Sequence, residues 1–494
     1  MIDNFILGTS TLFGDPISIL IFIFGVLGGM LFGAIPGVSM LTLAAILLPF
    51  TSNLEPAQGV MLFAVIYCTG TYGGAITAIL FNIPGAPENA PTAFDGYPMT
   101  RQGRSGKAVG AAVVCSAVGG IASALIMMAA TQPLANWAIS NIGPPEIFAL
   151  VFFGLAIASS VGGKTLWKGW MSVSLGLMVA TIGQDPVGGI NRYNFGLSDL
   201  AAGIAFVPAI LGFFAVSEIF VQAEKKAKGS YTAPKLSVDF PTIAELWLHK
   251  IAVFRSMLVG FFCGILPGIG ATLAAFMGYG EAVRWSKNKK SFGRGNIEGV
   301  ISSETANNAA TGAAMIPLLA LGLPGGALTA MMVAVFQMHD LEPGPLVFYN
   351  SPDLIWVVFS AMFFANLSIL FIGLIETKTI LQLLRIPFQF LAPMILMLAS
   401  IGAYIGRGLV LDVMVMFGAG IVGFLLRRSG YSIPGIVLGI ILGKIGEQNF
   451  AQGMQMVHYD LFTYFSRPVC SVLILAGILT LGMGLYKALS STLK

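Results

Sequence analysis

The chain has 494 residues, 56% of them hydrophobic and only 10% charged, with a formal net charge of +4 and a mean hydropathy of +0.85. A soluble globular chain carries roughly 25% charged residues, so a water-soluble body is excluded, and the small charge gives no reason to expect nucleic acid. Cys68, Cys115, Cys263 and Cys470 stand singly in apolar stretches, without pairing or metal-ligand spacing, and read as packing residues.

The N-terminus, MIDNFILGTS, lacks a basic n-region and an A-x-A-like cleavage site, so the first apolar segment is expected to be retained. From Pro16 to Leu489, apolar stretches of about the 20 residues that a spanning helix needs follow one another with short polar joints. They lack the roughly ten-residue alternating segments of membrane strands, so the fold class is all-α, a polytopic membrane protein. Residues 1–223 form a first transmembrane repeat. The hydrophilic stretch 224–250 is too short and too polar to bury a core and reads as a cytoplasmic linker. Residues 251–466 form a second repeat, and 467–494 an extra C-terminal transmembrane helix.

The duplication is visible in motifs. Gly33-Ala34-Ile35-Pro36-Gly37-Val38-Ser39 returns as Gly264-Ile265-Leu266-Pro267-Gly268-Ile269-Gly270, and Thr42-Leu43-Ala44-Ala45 returns as Thr272-Leu273-Ala274-Ala275. Thr71-Tyr72-Gly73-Gly74 through Asn82-Ile83-Pro84-Gly85 is matched by Thr311-Gly312-Ala313-Ala314 through Gly322-Leu323-Pro324-Gly325. Two motifs in the same order argue for one ancestral half used twice.

Flanking charge gives each half an orientation, because Lys and Arg collect on the cytoplasmic side. Asp3, Asp15, Asn53 and Glu55 surround the first Pro-Gly segment, whereas Lys225, Lys226, Lys228, Lys250, Arg255, Arg284, Lys287, Lys289, Lys290 and Arg294 surround the second. If each segment is a helical hairpin, the first opens outward and the second inward. Arg101, Arg104, Lys107, Lys164 and Lys168 then fall inside with Lys378, Arg385, Arg427 and Arg428, while Asp185, Asp340, Glu342 and Glu447 fall outside; Arg407 sits awkwardly at an outer end. The predicted architecture is two inverted-topology repeats with broken helices, about eleven crossings plus two hairpins, the pattern of secondary transporters.

A broken helix leaves backbone N–H groups free at one half's start and C=O groups free at the other half's end. At a transporter midplane the first attract an anionic substrate and the second a cation. Pro36-Gly37, Pro84-Gly85, Pro267-Gly268 and Pro324-Gly325 suit such breaks, since Pro fixes φ and Gly frees it; a lone Pro-Gly in a packed helix is equally well a kink. Neighbouring polar residues are the candidate ligands: Ser39, Asn82 and Asn89 in the first half, Thr272, Asn307 and Asn308 in the second, for substrate; Thr71, Ser303, Thr305 and Thr311 for a coupling ion. Single Ser and Thr residues in membrane helices often only bond their own backbone. The stretch from Ser302 to Asn308 stands apart, with two adjacent amides and an acid in an apolar span.

Ionisable residues deep in a membrane are costly and functional by default. Glu88 and Glu304 are read as binding or relaying the coupling ion, with helix capping at a membrane surface as the alternative. Glu146 follows Pro144-Pro145 at an outer helix start, and Lys444 reads as a snorkelling side chain. Basic residues are scarce within the spans, so an anion site would rest on helix dipoles and neutral donors. His249, His339 and His458 are scattered, and HExxH, GxSxG and GxxxxGK[ST] do not occur; neither an enzyme nor an ATP-driven pump is indicated, and no cofactor or resident metal beyond a transported Na+ is expected.

The block GTYGGAITAILFNIPGAPENAPTAFDGYPMTRQGRSGKAVG, from Gly70 to Gly110, closely resembles the hallmark region of the large membrane subunit of the tripartite tricarboxylate transporter family. The resemblance extends to GAIPGVS, GILPGIGATLAAF and SSETANNAATGAAMIPLLALGLPGG, and so covers nearly the whole chain. It implies a bacterial inner-membrane system of this subunit, a small membrane subunit of about four spans and a periplasmic solute-binding protein. Uptake of citrate or another small carboxylate, driven by Na+ or H+, is implied with it. By that analogy Gly37, Asn82, Pro84, Gly85, Gly268, Asn307, Pro324 and Gly325 mark the substrate and ion site, and the outer segments 135–146 and 340–353 are docking surfaces for the binding protein.

The alternatives are the large subunit of the other binding-protein-dependent carboxylate transporter family, against which the motif blocks speak; a channel or exporter without a binding protein; and an intramembrane enzyme, for which no catalytic pair is found.

Overall fold

A computed structural model describes residues 1–35, 39–161, 165–185, 188–226, 239–266, 270–383 and 388–492. The tips bearing Gly37 and Gly268, linker residues 227–238, and Lys164, Lys228, Arg385 and Lys494 lie outside the described residues.

The described chain is helical apart from one two-residue antiparallel pairing of Gly183–Gln184 with Asn191–Arg192. The first half contains α1 (Ile2–Gly14), α2 (Pro16–Ala34), α3 (Met40–Leu47), α4 (Pro56–Phe81), α5 (Ala90–Arg101), α6 (Ser105–Asn141), α7 (Pro144–Val161) and α8 (Leu166–Ala180). It ends in α9 (Phe206–Ile210), which continues through a π-helical turn, Leu211–Val216, into α10 (Ser217–Lys226). The short α11 (Ile243–Trp247) precedes α12 (Lys250–Ile265), α13 (Gly270–Trp285), α14 (Ile297–Leu321), α15 (Ala327–Met338) and the single turn α16 (Val347–Asn350). Then come α17 (Pro352–Leu383), α18 (Phe388–Ile405), α19 (Val410–Arg428), α20 (Ile433–Met456), α21 (Leu461–Ser466) and α22 (Pro468–Thr492). Seven helices among the described residues are long and apolar enough to cross a membrane, and four shorter apolar helices accompany them. The protein is an all-α, multi-pass membrane protein.

Small residues set the close helix packing, as they do where lipid removes the hydrophobic drive between helices. On α2, Gly25 meets Leu62 and Val65, Gly29 meets Ile66 and Thr69, and Gly33 meets Gly70, so α2 and α4 run side by side in the same direction. Between them α3 returns, with Leu43 beside Gly28 and Met40 beside Gly70. The second half repeats the arrangement: Gly260 and Gly264 of α12 rest on Ala306 and Ala310 of α14, and Gly278 of the returning α13 rests on Ser302 and Ala306. Each Pro-Gly tip therefore joins two antiparallel helices, as the hairpin expectation requires.

After α4 the chain doubles back. Gly85 N–H donates to Gly74 O at 3.3 Å, Asn89 Nδ2 donates to Thr71 O at 2.8 Å, and α5 then climbs alongside α4, with Thr100 Oγ1 donating to Ile79 O at 2.8 Å. Along α14 the same α5 is met in reverse order: Thr92 lies beside Ser303 and Glu304, and Asp95 beside Gly299. So α4 and α14, the equivalent helices of the two halves, point in opposite directions.

The halves also exchange partners. Helix α6 packs along α14 and α17 along α4; α20 joins α7 and α8, while α9, the π-turn and α10 join α18 and α19. Reciprocal exchange of this kind is what an inverted two-fold duplication produces. Two ion pairs account for otherwise isolated charges: Arg407 pairs with the buried Asp412, and Arg467, just before α22, pairs with the buried Glu146 of α7.

Candidate functional site

Pro84-Gly85 and Pro324-Gly325 each turn back against the helices that flank the hairpin tips. A Cβ on Gly85 would lie 1.9 Å from Gly33 O, and the nearest atoms to a Cβ on Gly270 are Gly325 O and Gly326 Cα, each 4.0 Å away. In the first half, then, the end of α2 adjoins the turned-back Pro84-Gly85, and in the second the start of α13 adjoins Gly325 and Gly326. Helices α3, α5, α13 and α15 all begin here. Their N-terminal dipoles, each equivalent to about half a positive charge, are the chemistry that would attract an anion.

Gly37 and Gly268 lie outside the described residues. Ser39 precedes α3 at the tip and is half-buried. Asn82 takes the left-handed conformation (φ 57°) that ends α4, and its side chain is exposed; Gly322 (φ 74°) ends α14 in the same way. Asn82 thus shapes the turn that carries Pro84 and Gly85 inward. Pro324 and Gly325 are buried against Ala314.

Asn89 is fully buried. Its Nδ2 holds Thr71 O, while Oδ1 lies against Gly74 with no hydrogen-bond partner among the described residues. Asn308 donates to Asn307 Oδ1 at 2.9 Å, and its own Oδ1 is likewise unmatched. Unsatisfied buried carbonyl oxygens are rare and costly, and Asn89 and Asn308 each leave one here.

The halves meet at Glu88, in the 3-10 turn Pro87–Asn89. Its side chain is buried and hydrogen-bonded to Thr272 at the start of α13, and its backbone O faces Asn307 Nδ2 at 3.5 Å. Glu304 lies mid-helix in α14, fully buried, so the surface-capping alternative does not describe it. It accepts from Thr92 Oγ1 at 2.5 Å, Ser116 Oγ at 2.9 Å and Asn307 Nδ2 at 3.3 Å, with Ser303 Oγ one step behind Thr92 at 2.9 Å.

Thr71, Thr305 and Thr311 are buried, and each donates its hydroxyl to a carbonyl of its own helix at 2.8 Å. Thr311 also contacts Cys68 of α4 at 3.7 Å, a link between the halves. Among the described residues no three His, Cys, Asp or Glu side chains converge as a metal site.

Sequence reasoning missed three residues of this centre. Thr92 stands one helical turn after Asn89, a spacing that would have put it on the same face. Ser116 and Asn366 are lone polar residues in apolar helices. Asn366 is fully buried, with Oδ1 unpartnered and Cys68 beside it. Further out, a cavity of about 440 Å³ is lined by Pro49, Phe206, Gln337 and Arg407, at the end of α15 away from Pro324-Gly325.

Residues 19–438 match the tripartite tricarboxylate transporter TctA family. An uncharacterized 52.8 kDa protein in the TAR-I ttuC' 3' region of Agrobacterium vitis is 34% identical over 99% of this chain and 97% of its own length. An uncharacterized protein in the TAR-II ttuC' 3' region of the same organism is 34% identical over 47% of this chain and 96% of its own length. No solved structure matches. With the match extending over most of the chain and the repeated motifs gathered at one centre, this protein belongs to the tripartite tricarboxylate transporter TctA family.

Proposed function

We propose that the chain is the large translocating subunit of a binding-protein-dependent secondary transporter that imports a tricarboxylate such as citrate, or a related small carboxylate, by cation symport across a bacterial inner membrane. The observation that carries this reading is the convergence of four helix N-termini on one buried centre lined, among the described residues, by amides and hydroxyls rather than by lysine or arginine. Substrate carboxylates are received by the starts of α3, α5, α13 and α15. Asn89, Asn307 and Asn308 fix the substrate's orientation, and the coupling cation is handled around Glu304.

A small membrane subunit of about four spans and a periplasmic solute-binding protein complete the system. The two outer segments expected to dock the binding protein adjoin one another, Tyr349 OH lying 3.1 Å from Asn136 Oδ1, and so offer one continuous surface.

The test is uptake of labelled citrate into proteoliposomes holding this chain and its small partner, with binding protein outside and a Na+ or H+ gradient imposed. Accumulation that needs the gradient and the binding protein supports the reading. Success only with dicarboxylates or aromatic acids changes the substrate alone, and passive equilibration indifferent to gradient and binding protein replaces the reading with a channel.

A further inference from the structure

Every group found against the Glu304 carboxylate is neutral: the hydroxyls of Thr92 and Ser116 and the amides of Asn307 and Asn89. Among the described residues no salt bridge reaches it. A carboxylate buried in this way needs either a proton or an escorting cation, because an uncompensated charge in an apolar interior costs more than neutral hydrogen bonds return.

The oxygen spacing is that of a shared proton. Thr92 Oγ1 is 2.5 Å from Glu304 Oε1 and 2.9 Å from Ser303 Oγ, and Ser116 Oγ is 2.9 Å from Glu304 Oε2. These are separations of oxygens that share a hydrogen. Oxygens at right angles around a metal ion with ~2.4 Å bonds stand roughly 3.4 Å apart, so each of these pairs would have to part before a bare cation fitted.

Hydrogen-bond direction agrees. The Ser303 hydroxyl is committed to Gly299 O at 2.9 Å and Val300 O at 3.2 Å, which leaves its lone pairs free to accept from Thr92. With Glu304 ionised, Thr92 donates to it. With Glu304 protonated, Glu304 donates to Thr92 Oγ1 and the Thr92 hydroxyl turns to Ser303. Rotation of one hydroxyl satisfies each state with no heavy atom displaced.

We infer that Glu304 is the proton-carrying residue of the transport cycle, Thr92 and Ser303 being its positioning residues, so that the ion moved with substrate at this centre is H+ rather than a metal cation. The inference rests on the transport reading above. The titratable groups facing this part of α14 are Cys115 on α6, Tyr67 and Cys68 on α4, Glu88 in the turn before α5, Asp95 on α5 and Tyr279 on α13. None of them is a base that would hold Glu304 permanently charged.

The experiment uses proteoliposomes with the chain, its small partner and the binding protein, in sodium-free medium, with a pH-sensitive dye inside. The wild type is expected to acidify the lumen in proportion to labelled carboxylate taken up. Glu304→Gln is expected to lose that acidification to background while substrate-for-substrate exchange, which moves no net proton, still proceeds, and Glu304→Asp is expected to recover part of it. Wild-type uptake that requires sodium and leaves luminal pH unchanged overturns the inference but spares the transport reading, whereas no uptake of any carboxylate overturns both. If Glu304→Gln also loses exchange, Thr92→Val and Ser303→Ala decide: fewer protons per substrate exchanged supports the relay, and a proportional fall in both overturns it.

Discussion

Asp95 of α5 accepts the Tyr279 hydroxyl of α13 at 2.9 Å, and the same carboxylate takes the successive backbone N–H groups of Arg294, Gly295 and Asn296 at 3.1, 2.9 and 2.8 Å. The three N–H groups form a nest at the start of α14, where a helix offers unpaired donors and positive dipole. One side chain from the first half thus fixes the second half's hairpin and its central helix together. Its donors are mostly backbone and fixed in place, whereas those of Glu304 are hydroxyls and amides that can turn. One acid is held by fixed donors, the other by donors that can turn.

Asp95→Asn turns one acceptor into a donor facing the nest and is expected to destabilise the protein by about 2–4 kcal/mol. Tyr279→Phe removes a single hydroxyl and should cost about 1–2 kcal/mol. Heat-ramped size-exclusion in detergent measures both losses; melting unchanged in the two variants would show that the latch contributes nothing.

Close backbone approach at the centre is tested by Gly85→Ala. Its Cβ would meet Gly33 O at 1.9 Å and Gly74 Cα at 2.7 Å, and main-chain atoms cannot swing aside as a side chain can. Uptake should be abolished, whereas Gly418→Ala, whose Cβ meets nothing within 4 Å, should transport like the parent protein. Normal uptake by Gly85→Ala would mean that Pro84-Gly85 does not have to stay against the end of α2.

The repeats, the four Pro-Gly breaks and the polar run from Ser302 to Asn308 were legible because each is a local pattern with a physical reason to recur. The partners of Glu304 were not, because Thr92 and Ser116 lie 212 and 188 residues away in sequence and each looks like an ordinary helix-bonding hydroxyl. Which helix packs on which was equally hidden: α6 and α17 are apolar on nearly all faces, so their crossing to α14 and α4 leaves no periodic trace. Arg407 looked misplaced for a similar reason, since its partner Asp412 shows its role only once α19 folds against the loop before it.

Asn82 and Asn307 occupy related motifs and should behave differently. The exposed Asn82 ends α4 at φ 57°, a conformation that glycine adopts freely and other residues at a cost of about 1 kcal/mol. Asn82→Gly should therefore keep uptake. Asn307 is fully buried and donates towards both Glu304 and Glu88 O, so Asn307→Ala should abolish it while leaving membrane insertion intact. The reverse outcome in labelled-substrate uptake would place the ligand at Asn82 instead.

In the segment expected to be the linker, Glu245 of α11 accepts from Lys107 at 2.7 Å, and that hydrogen bond holds its carboxyl below the ordinary value of 4.5. A lowered folded value means that the contact stabilises the docked linker above the ordinary carboxylate range, and that this contribution disappears as pH falls through the lowered value. The protection factors of amides across 240–248, corrected for the intrinsic pH dependence of exchange, should be high at neutral pH and fall only on strong acidification. Lys107→Ala should show low protection at both; identical protection in the two proteins would rule the latch out.

The contact of Tyr349 with Asn136 joins the loop before α17 to the end of α6, and Trp137, Leu346 and Tyr349 stand exposed around it. Aromatic residues in such a position bind partner proteins well, because they bury large area at little entropic cost. Trp137→Ala together with Tyr349→Ala should weaken capture of the binding protein about tenfold or more, since two central aromatic contacts are commonly worth over 1.4 kcal/mol. Substrate exchange between the two faces of the membrane, which needs no binding protein in this reading, should be unaffected. A titration of uptake against binding-protein concentration separates the outcomes: a rightward shift with the same maximum identifies the docking surface, and a lowered maximum at unchanged half-saturation would instead assign these residues to the moving parts of the transporter.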